Sequence, residues 1–244
     1  MKRALLLVGM SLVLAGCGGD DSTDATSTDT ITLPATSSGR VYWLRDGKVW
    51  PAARELPATD SPTAALEELF AGPTEAEQEE LDATTAIAGG GPTVTIAGGK
   101  ATVASPNGAF SREALAQIVY TLTQFPAIDS VEIGGKNYTR ADFEEQTPGI
   151  LVESPLPFAD VTSPITASGT ANTFEATFNY ELYDADGNMV DENFVTATSG
   201  TGTRGTFEFT TGDFDSISKL VVFEPSAEDG SKTKLVEIPL TQSS

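Results

Sequence analysis

The chain has 244 residues, enough for two domains of ordinary size, and carries 35 acidic against 14 basic residues, a formal charge of −21. This acidity argues against binding nucleic acid or anionic lipid headgroups through charge. The chain contains no histidine and one cysteine, which excludes Ser-His-Asp and Cys-His catalysis, the usual zinc sites and a disulfide framework.

The first residues of the chain combine a basic start, an apolar stretch and the cysteine. Lys2 and Arg3 precede Ala4–Leu14, which has the length of a secretory signal and is too short to span a bilayer. The next residues complete Leu-Ala-Gly-Cys, which resembles the lipobox of bacterial lipoproteins. The resemblance implies that residues 1–16 are a lipoprotein signal peptide and that the Cys17 sulfur receives a diacylglycerol. The alternative is an ordinary signal peptide with a cysteine there by chance.

Cleavage of this leader would change the charge of the protein and expose a polar segment. Loss of Lys2 and Arg3 takes the 14 basic residues to 12 and the formal charge from −21 to −23. Residues 17–39 begin with the cysteine and continue mainly in Gly, Ser, Thr and Asp, which bury too little apolar surface to fold. We therefore predict a lipidated cysteine followed by a flexible tether, roughly 25 Å long on average.

Residues 40–138 mix strand and helix patterns. In chain order we predict strands at Val41–Leu44 and Lys48–Leu56 around Asp46-Gly47, a helix from Ser61 to Gly72, an acidic short helix or loop at Thr74–Leu81, a hairpin of Thr93–Ile96 and Ala101–Ala104, an amphipathic helix capped by Ser111, and strands at Asp129–Ile133 and Asn137-Tyr138. This order predicts an α+β domain in which two helices pack on one mixed sheet.

Residues 139–149 are the predicted linker, and no helical periodicity follows them. Phe174, Ala176, Phe178, Tyr180 and Leu182 alternate with polar residues, as in a strand with one buried face. Six or seven short strands separated by turn residues predict an all-β sandwich over residues 150–242. The candidates for its core are Phe174, Phe178, Phe207 and Phe209.

Motifs in both regions resemble known domain families. Three segments resemble the GerMN domain, which is named for a sporulation and germination protein: Ser61–Thr74, Ala116–Pro126 and Asp129-Ser130-Val131. Three later segments resemble Gmad2, an immunoglobulin-like domain found with germination proteins: Ser154-Pro155, Ser168–Ala176 and Val222–Ser226. The pairing resembles exported actinobacterial lipoproteins. It implies an extracytoplasmic protein anchored to the cell membrane, with a role in protein contact or cell-wall association and no settled activity.

Four residues are candidates for an interaction surface. Trp43 and Trp50 lie on the two arms of the first predicted hairpin, where aromatic side chains bind sugars or partner proteins, although core packing is more common. Tyr120 and Gln124 lie one helical turn apart in the GerMN-like motif, and helix packing is again the alternative. These two pairs define the interaction surface that the sequence predicts.

Patterns that would carry catalysis or metal binding are weak. Glu67 and Glu68 are adjacent on a predicted helix and point away from each other, unlike the facing carboxyl groups of a glycosidase. Asp184, Asp186 and Asn188 would be the ligands of a calcium loop, but the spacing departs from that of an EF-hand and favours a hairpin turn. We predict no catalytic residue, cofactor or metal.

Together these features predict a lipid-anchored, non-catalytic envelope protein that binds another envelope protein through its two domains, and no nucleic acid. The first alternative is a module that binds cell-wall glycan or a small cationic ligand, to which an acidic surface and exposed aromatic residues would contribute. The weaker alternative is an enzyme that acts on glycan through carboxylates.

Overall fold

A computed structural model describes residues 36–91, 93–104 and 109–242 of the chain. The predicted leader, Cys17 and most of the predicted tether lie outside these residues. An α+β domain is followed by an all-β domain, which confirms the predicted fold class. Within the described ranges, no helix has the length and apolar character needed to cross a membrane.

The first domain combines a long hairpin, three helices and a four-stranded sheet in the described part of the chain. Its elements are β1 (Thr36–Arg45), β2 (Lys48–Pro57), α1 (Ser61–Ala71), α2 (Glu75–Leu81), β3 (Thr93–Ala97), β4 (Lys100–Ala104), α3 (Arg112–Leu122), β5 (Ser130–Ile133) and β6 (Lys136–Tyr138). The short strands form a sheet of order β3-β4-β5-β6, in which β4 and β5 are parallel. The hairpin forms a separate two-stranded sheet, so the prediction that it joins one mixed sheet is wrong in this detail.

Side-chain caps set the starts of α2 and α3. The Ser111 hydroxyl accepts a hydrogen bond from the Ala114 amide at 3.2 Å and caps α3. Thr74 and Glu77 form a reciprocal capping box at the start of α2, so the acidic segment is helical. The β1 strand begins at Thr36, and the last four residues of the predicted tether therefore belong to the hairpin.

The second domain is a sandwich of a three-stranded and a five-stranded sheet, with orders β12-β9-β7 and β11-β10-β13-β14-β8. The strands are β7 (Ile150–Ser154), β8 (Ala159–Val161), β9 (Thr166–Ala171), β10 (Thr177–Tyr183), β11 (Met189–Thr196), β12 (Gly205–Thr210), β13 (Lys219–Pro225) and β14 (Lys232–Gln242). All pairings are antiparallel except the one between β14 and β8. The apolar side chains between the two sheets form the second core.

The alternating run in this domain is correct only from Phe178 onward. Phe178 and Phe207 are buried with ring centroids 4.9 Å apart, and Phe209 stacks on Tyr180. Phe174 instead lies in a 3₁₀ turn before β10 and is 59% exposed, so its assignment to the core is wrong. The turn breaks the two-residue period because the two residues after Phe174 have positive φ.

The Asp184–Asn188 segment is the turn between β10 and β11. The Asp184 amide donates to the Asn188 carbonyl at 3.0 Å. The Asp184 carboxylate accepts from the Asn188 amide at 2.8 Å and from Asn188 Nδ2 at 3.0 Å. These bonds confirm the hairpin-turn interpretation.

The segment predicted as a linker is part of the fold. Arg140–Gln146 form a 3₁₀ helix, and Phe143 within it is fully buried in the first core. The chain therefore passes from one domain to the other through packed residues, which places several charged side chains of this segment at the domain junction.

Candidate functional site at the domain junction

The hairpin of the first domain contributes to both cores. Trp43 of β1 is fully buried in the first core, where its Nε1 donates to Glu77 Oε1 at 3.0 Å. Trp50 of β2 is 7% exposed and packs in the second core with Ile150 and Val152. Both tryptophans are packing residues, so their assignment to an open interaction surface is wrong.

Helix α3 covers the outer edge of β1 with polar side chains. The Tyr42 amide donates to Thr121 Oγ1 at 3.1 Å, and the Tyr42 carbonyl accepts from Gln117 Nε2 at 3.0 Å. One turn further along, Gln124 accepts from the Arg40 amide at 2.7 Å and donates to the Arg40 carbonyl. Gln117 and Thr121 of α3, with Gln124 in the turn just after the helix, thus replace the neighbouring strand that β1 lacks there.

This arrangement also decides the roles of the two motif residues. Tyr120 is buried, its hydroxyl lies 2.7 Å from Thr147 Oγ1, and its ring centroid lies 5.3 Å from that of Tyr42. Gln124 is half-buried, and its amide group is occupied by the backbone of β1. Tyr120 is therefore a packing residue and Gln124 covers the edge of β1, so the four predicted residues do not form one interaction surface.

A charged cluster ties the two domains together behind β1. Glu153 on β7 of the second domain accepts a hydrogen bond from Arg140 Nη1 at 3.0 Å and another from the Tyr42 hydroxyl. Arg40 Nη1 donates to the Glu153 carbonyl at 3.0 Å and lies 3.8 Å from its Oε1. The Arg140 guanidinium also stacks 4.6 Å from the centroid of Tyr120. Three side chains of the first domain and its C-terminal segment thus contact Glu153 of the second domain, and Tyr120 packs behind Arg140.

The surroundings of these groups shift their ionisation. Burial alone would raise the pKa of Glu153, but the charge of Arg140 and the hydrogen bond from Tyr42 outweigh it and hold that pKa below its usual range. Burial, followed by the charge of Glu153, raises the pKa of the Tyr42 hydroxyl. At neutral pH the cluster therefore holds an ionised carboxylate beside a neutral phenol.

A second polar contact joins the linker segment to residues that flank β9 and β12. Glu144 receives two parallel hydrogen bonds from Arg204, Nε and Nη2 each at 2.9 Å, and one from Asn172 Nδ2 at 2.9 Å. Arg204 Nη2 also donates to the Pro148 carbonyl at 2.8 Å. A bidentate arginine–carboxylate pair fixes orientation as well as distance, so this contact sets how the linker segment lies against the second domain.

An open groove of about 1080 Å³ runs between the domains beside the charged cluster. Its two sides come from the first and second domains, and Arg40, Gln124 and Glu153 lie on its surface. The remaining residues of its lining are mostly small, hydroxyl-bearing or proline, including Ser37, Ser38, Ser61, Pro126, Ser154, Pro155, Thr162, Pro164, Thr166 and Ser168. Because both domains line it and it is large and open, this groove is the candidate functional site.

The sequence gives little indication of these residues. Arg140 and Glu144 lie in the segment predicted as a linker, and Glu153 interrupts an apolar strand. The partners of Glu153 are 13 to 113 residues away along the chain, so no local pattern pairs them. A charged residue inside the run Ile150–Ser154 is the one signal that was available.

Two family models match this chain, one over each domain. The Germane model, described as sporulation and spore germination, matches residues 40–138. The Gmad2 model, described as an immunoglobulin-like domain of bacterial spore germination, matches residues 149–231. The chain therefore carries a Germane, or GerMN-type, domain followed by a Gmad2 domain. Both are domains related to sporulation and germination, and neither description names a catalytic activity.

The chain is also similar to a solved structure. The tandem GerMN domains of the sporulation protein GerM from Bacillus subtilis are 24% identical over 44% of this chain and 43% of that chain, with a TM-score of 0.31. The match thus spans less than half of that structure's chain. No curated protein matches this chain.

Proposed function

We propose that this protein is a non-catalytic, lipid-anchored envelope protein on the outer side of the cell membrane, and that its two domains act as one unit that binds another envelope protein. The observation that carries the binding role is the groove, because it is lined by both domains and would not exist in either alone. The lipobox at Leu14–Cys17 supports the anchor and the location.

The interdomain contacts support a single binding unit. Trp50 in the second core, the Arg140–Glu153 pair and the Arg204–Glu144 pair join the domains through apolar and charged contacts at separate places. A groove between domains held in this way keeps its shape before a partner arrives, which reduces the free energy lost in ordering a site on binding. The burial of both tryptophans removes the main reason to favour the glycan-binding alternative.

The anchor is tested by expression of the wild-type chain and Cys17→Ala in a bacterial host. We expect the wild-type protein to lose residues 1–16, gain the mass of a diacylglycerol and fractionate with membranes, because the thiol is the site of acylation. Cys17→Ala should stay uncleaved or lack the diacylglycerol, and should partition differently in detergent. A conservative control, Ser22→Ala in the same polar segment, should behave as wild type. An unchanged mass and membrane fraction in Cys17→Ala would contradict lipidation.

The binding role is tested separately in the cells of origin. Cross-linking of the anchored protein, followed by detergent extraction and capture, should recover one envelope protein at a constant ratio to the bait. The same cross-link should weaken when the groove is altered and persist when a distant surface is altered. Recovery of the bait alone, under conditions that preserve known complexes, would overturn this part of the proposal.

A further inference from the structure

The free edge of β1 enters the groove. In an antiparallel pair, alternate residues direct their N–H and C=O groups away from the partner strand. Leu44, Tyr42 and Arg40 are outward residues of β1. Leu44 exchanges two 2.8 Å backbone hydrogen bonds with Thr84, Tyr42 binds side chains of α3, and Arg40 binds Gln124 just after that helix. The register of the hairpin is continuous from Thr36 to Arg45, so the next outward residue is Ser38.

Ser38 is where the cover of β1 ends. Its opposite residue on β2 is Glu55, its side chain is exposed, and it lines the groove. Among the described residues, no hydrogen bond from another element reaches its backbone as Gln124 reaches that of Arg40. One peptide donor and one acceptor of a formed strand are therefore presented to the groove, with the strand geometry already fixed by β2.

The opposite side of the groove offers a second strand edge. Ala159–Val161 form β8, the edge strand of the five-stranded sheet, and pair on one side with β14. The Leu240 amide donates to the Ser218 carbonyl at 2.8 Å, so Leu240 faces β13 and the next residue, Thr241, faces β8. Thr241 is paired with Asp160 in a parallel register, so the backbone groups of Asp160 face away from β14. An extended chain lying in the groove would thus pass between two strand edges.

The charges around the groove favour one kind of chain. Its arginines are engaged: Arg40 contacts Glu153, and Arg54 makes two hydrogen bonds of 2.7 and 2.8 Å to Glu77. Glu55 and Asp160, one on each side, are exposed and have no ion-pair partner within the described ranges. A formal charge of −21 adds to the attraction for cations.

We infer that the groove binds an extended, basic segment of a partner protein, which adds as a strand to β1 at Ser38 and places Lys or Arg side chains beside Glu55 and Asp160. Main-chain hydrogen bonds supply the affinity in this mode, and the side chains of alternate residues supply the specificity. The inference rests on the proposed binding function and identifies the partner segment by its chemistry.

The test uses the full-length chain with Cys17→Ala and a phage-displayed library of random 12-residue peptides as the probe. Selected peptides should be enriched in Lys and Arg, and a synthetic copy should bind in solution. Peptides methylated at every second backbone nitrogen should bind much more weakly when the methylated amides are the set that faces β1 than when they are the other set, because only every second amide faces β1. This measurement leaves the protein unaltered, so it cannot be confused with misfolding.

Variants of the chain locate the peptide. Ser38→Pro removes the outward N–H and should weaken binding about tenfold. The hairpin already accepts proline at the matching outward positions of β2, Pro51 and Pro57. Glu55→Gln and Asp160→Asn should each weaken binding about two- to fivefold at low salt, whereas Glu67→Gln, outside the groove, should have no effect.

Two results would overturn the inference. One is a selection that enriches no basic peptide. The other is a set of enriched peptides whose binding is unaffected both by Ser38→Pro and by methylation of either set of alternate backbone nitrogens. These failures are distinct from failure of the proposed function. An envelope partner captured equally by wild type and Ser38→Pro would leave that function standing and exclude strand addition at Ser38. Loss of the anchor in Cys17→Ala does not bear on either result.

Discussion

Replacement of Glu153 by glutamine tests whether one buried carboxylate holds the two domains together. Its side chain is 14% exposed and contacts Arg140, Arg40 and Tyr42. Glutamine keeps the shape but leaves the arginines without their counter-ion, and breaking a mostly buried pair in this way should lower the free energy of unfolding by about 2–3 kcal/mol at pH 7. For a chain of this size, that corresponds to a fall in Tm of about 4–12 °C.

Urea unfolding and calorimetry measure this change, with Glu208→Gln as the matched control on the exposed face of β12. Both domains should lose stability, since the contact joins them. The pKa of Glu153 is lower in the folded than in the unfolded chain, so its contribution is complete above the ordinary value of 4.5 and is lost as the pH falls through the lower folded value. Stability should therefore fall less steeply below pH 4.5 in Glu153→Gln than in wild type.

A double-mutant cycle with Arg140→Met completes the test. The two single changes should each be costly, and the double change should cost less than their sum by at least about 1 kcal/mol, because the residues are in contact. The reasoning is refuted if Glu153→Gln unfolds within about 0.5 kcal/mol of wild type at pH 7 and keeps the wild-type loss of stability in acid.

Three further changes probe the other contacts. Gln124→Ala should lower the free energy of unfolding by about 1–2 kcal/mol, because it leaves partly buried backbone groups of Arg40 without their partner. Gln78→Ala on exposed α2 should change it little, and equal losses for the two variants in urea unfolding would exclude the edge-covering role of Gln124. Trp50→Ala should lower the free energy of unfolding by about 3–5 kcal/mol, and Trp50→Phe should lower it clearly less. If calorimetry showed that only the first domain was destabilised, the place of Trp50 in the second core would be contradicted. Burial would raise the pKa of Glu77, but hydrogen bonds from Arg54, Thr74 and Trp43 outweigh it and lower that pKa to about 2. The wild-type protein should therefore lose the stability that Glu77 contributes as the pH falls from about 4.5 to 2, whereas Glu77→Gln should lack it already at neutral pH. Acid titration measures the difference, with Glu79→Gln as the control.

The elements of both domains could be predicted because their signals are local. Asp46-Gly47, Ser111 and the apolar period of α3 each act within a few residues, and the strands and helices lie where those signals place them. The prediction that failed in the second domain, Phe174, depended on a two-residue period continuing past Glu175. Glu175 has a positive φ and lies in a 3₁₀ turn that interrupts the strand. The pattern of apolar and polar side chains does not indicate such a turn.

The domain junction could not be predicted because its determinants are long-range. Trp43 and Trp50 are directly opposite each other in the hairpin and are chemically identical, yet each belongs to a different core. Glu153 and Arg140 acquire their roles only when β7 and the 3₁₀ helix meet. The groove is likewise a product of assembly: its outward backbone at Ser38 follows from the register of β1 and the length of α3, not from the identity of the serine.

Trp50 makes the physical boundary between the domains different from the boundary along the chain. A fragment that begins at Ile150 would contain every strand of the sandwich and still lack an aromatic ring of its core, and a fragment that ends before Ile150 would carry that ring uncovered in water. Recombination that exchanged either domain at the linker would separate a side chain from its cavity. We therefore expect related proteins that contain this sandwich to contain the hairpin as well, and proteins that lack one to lack the other.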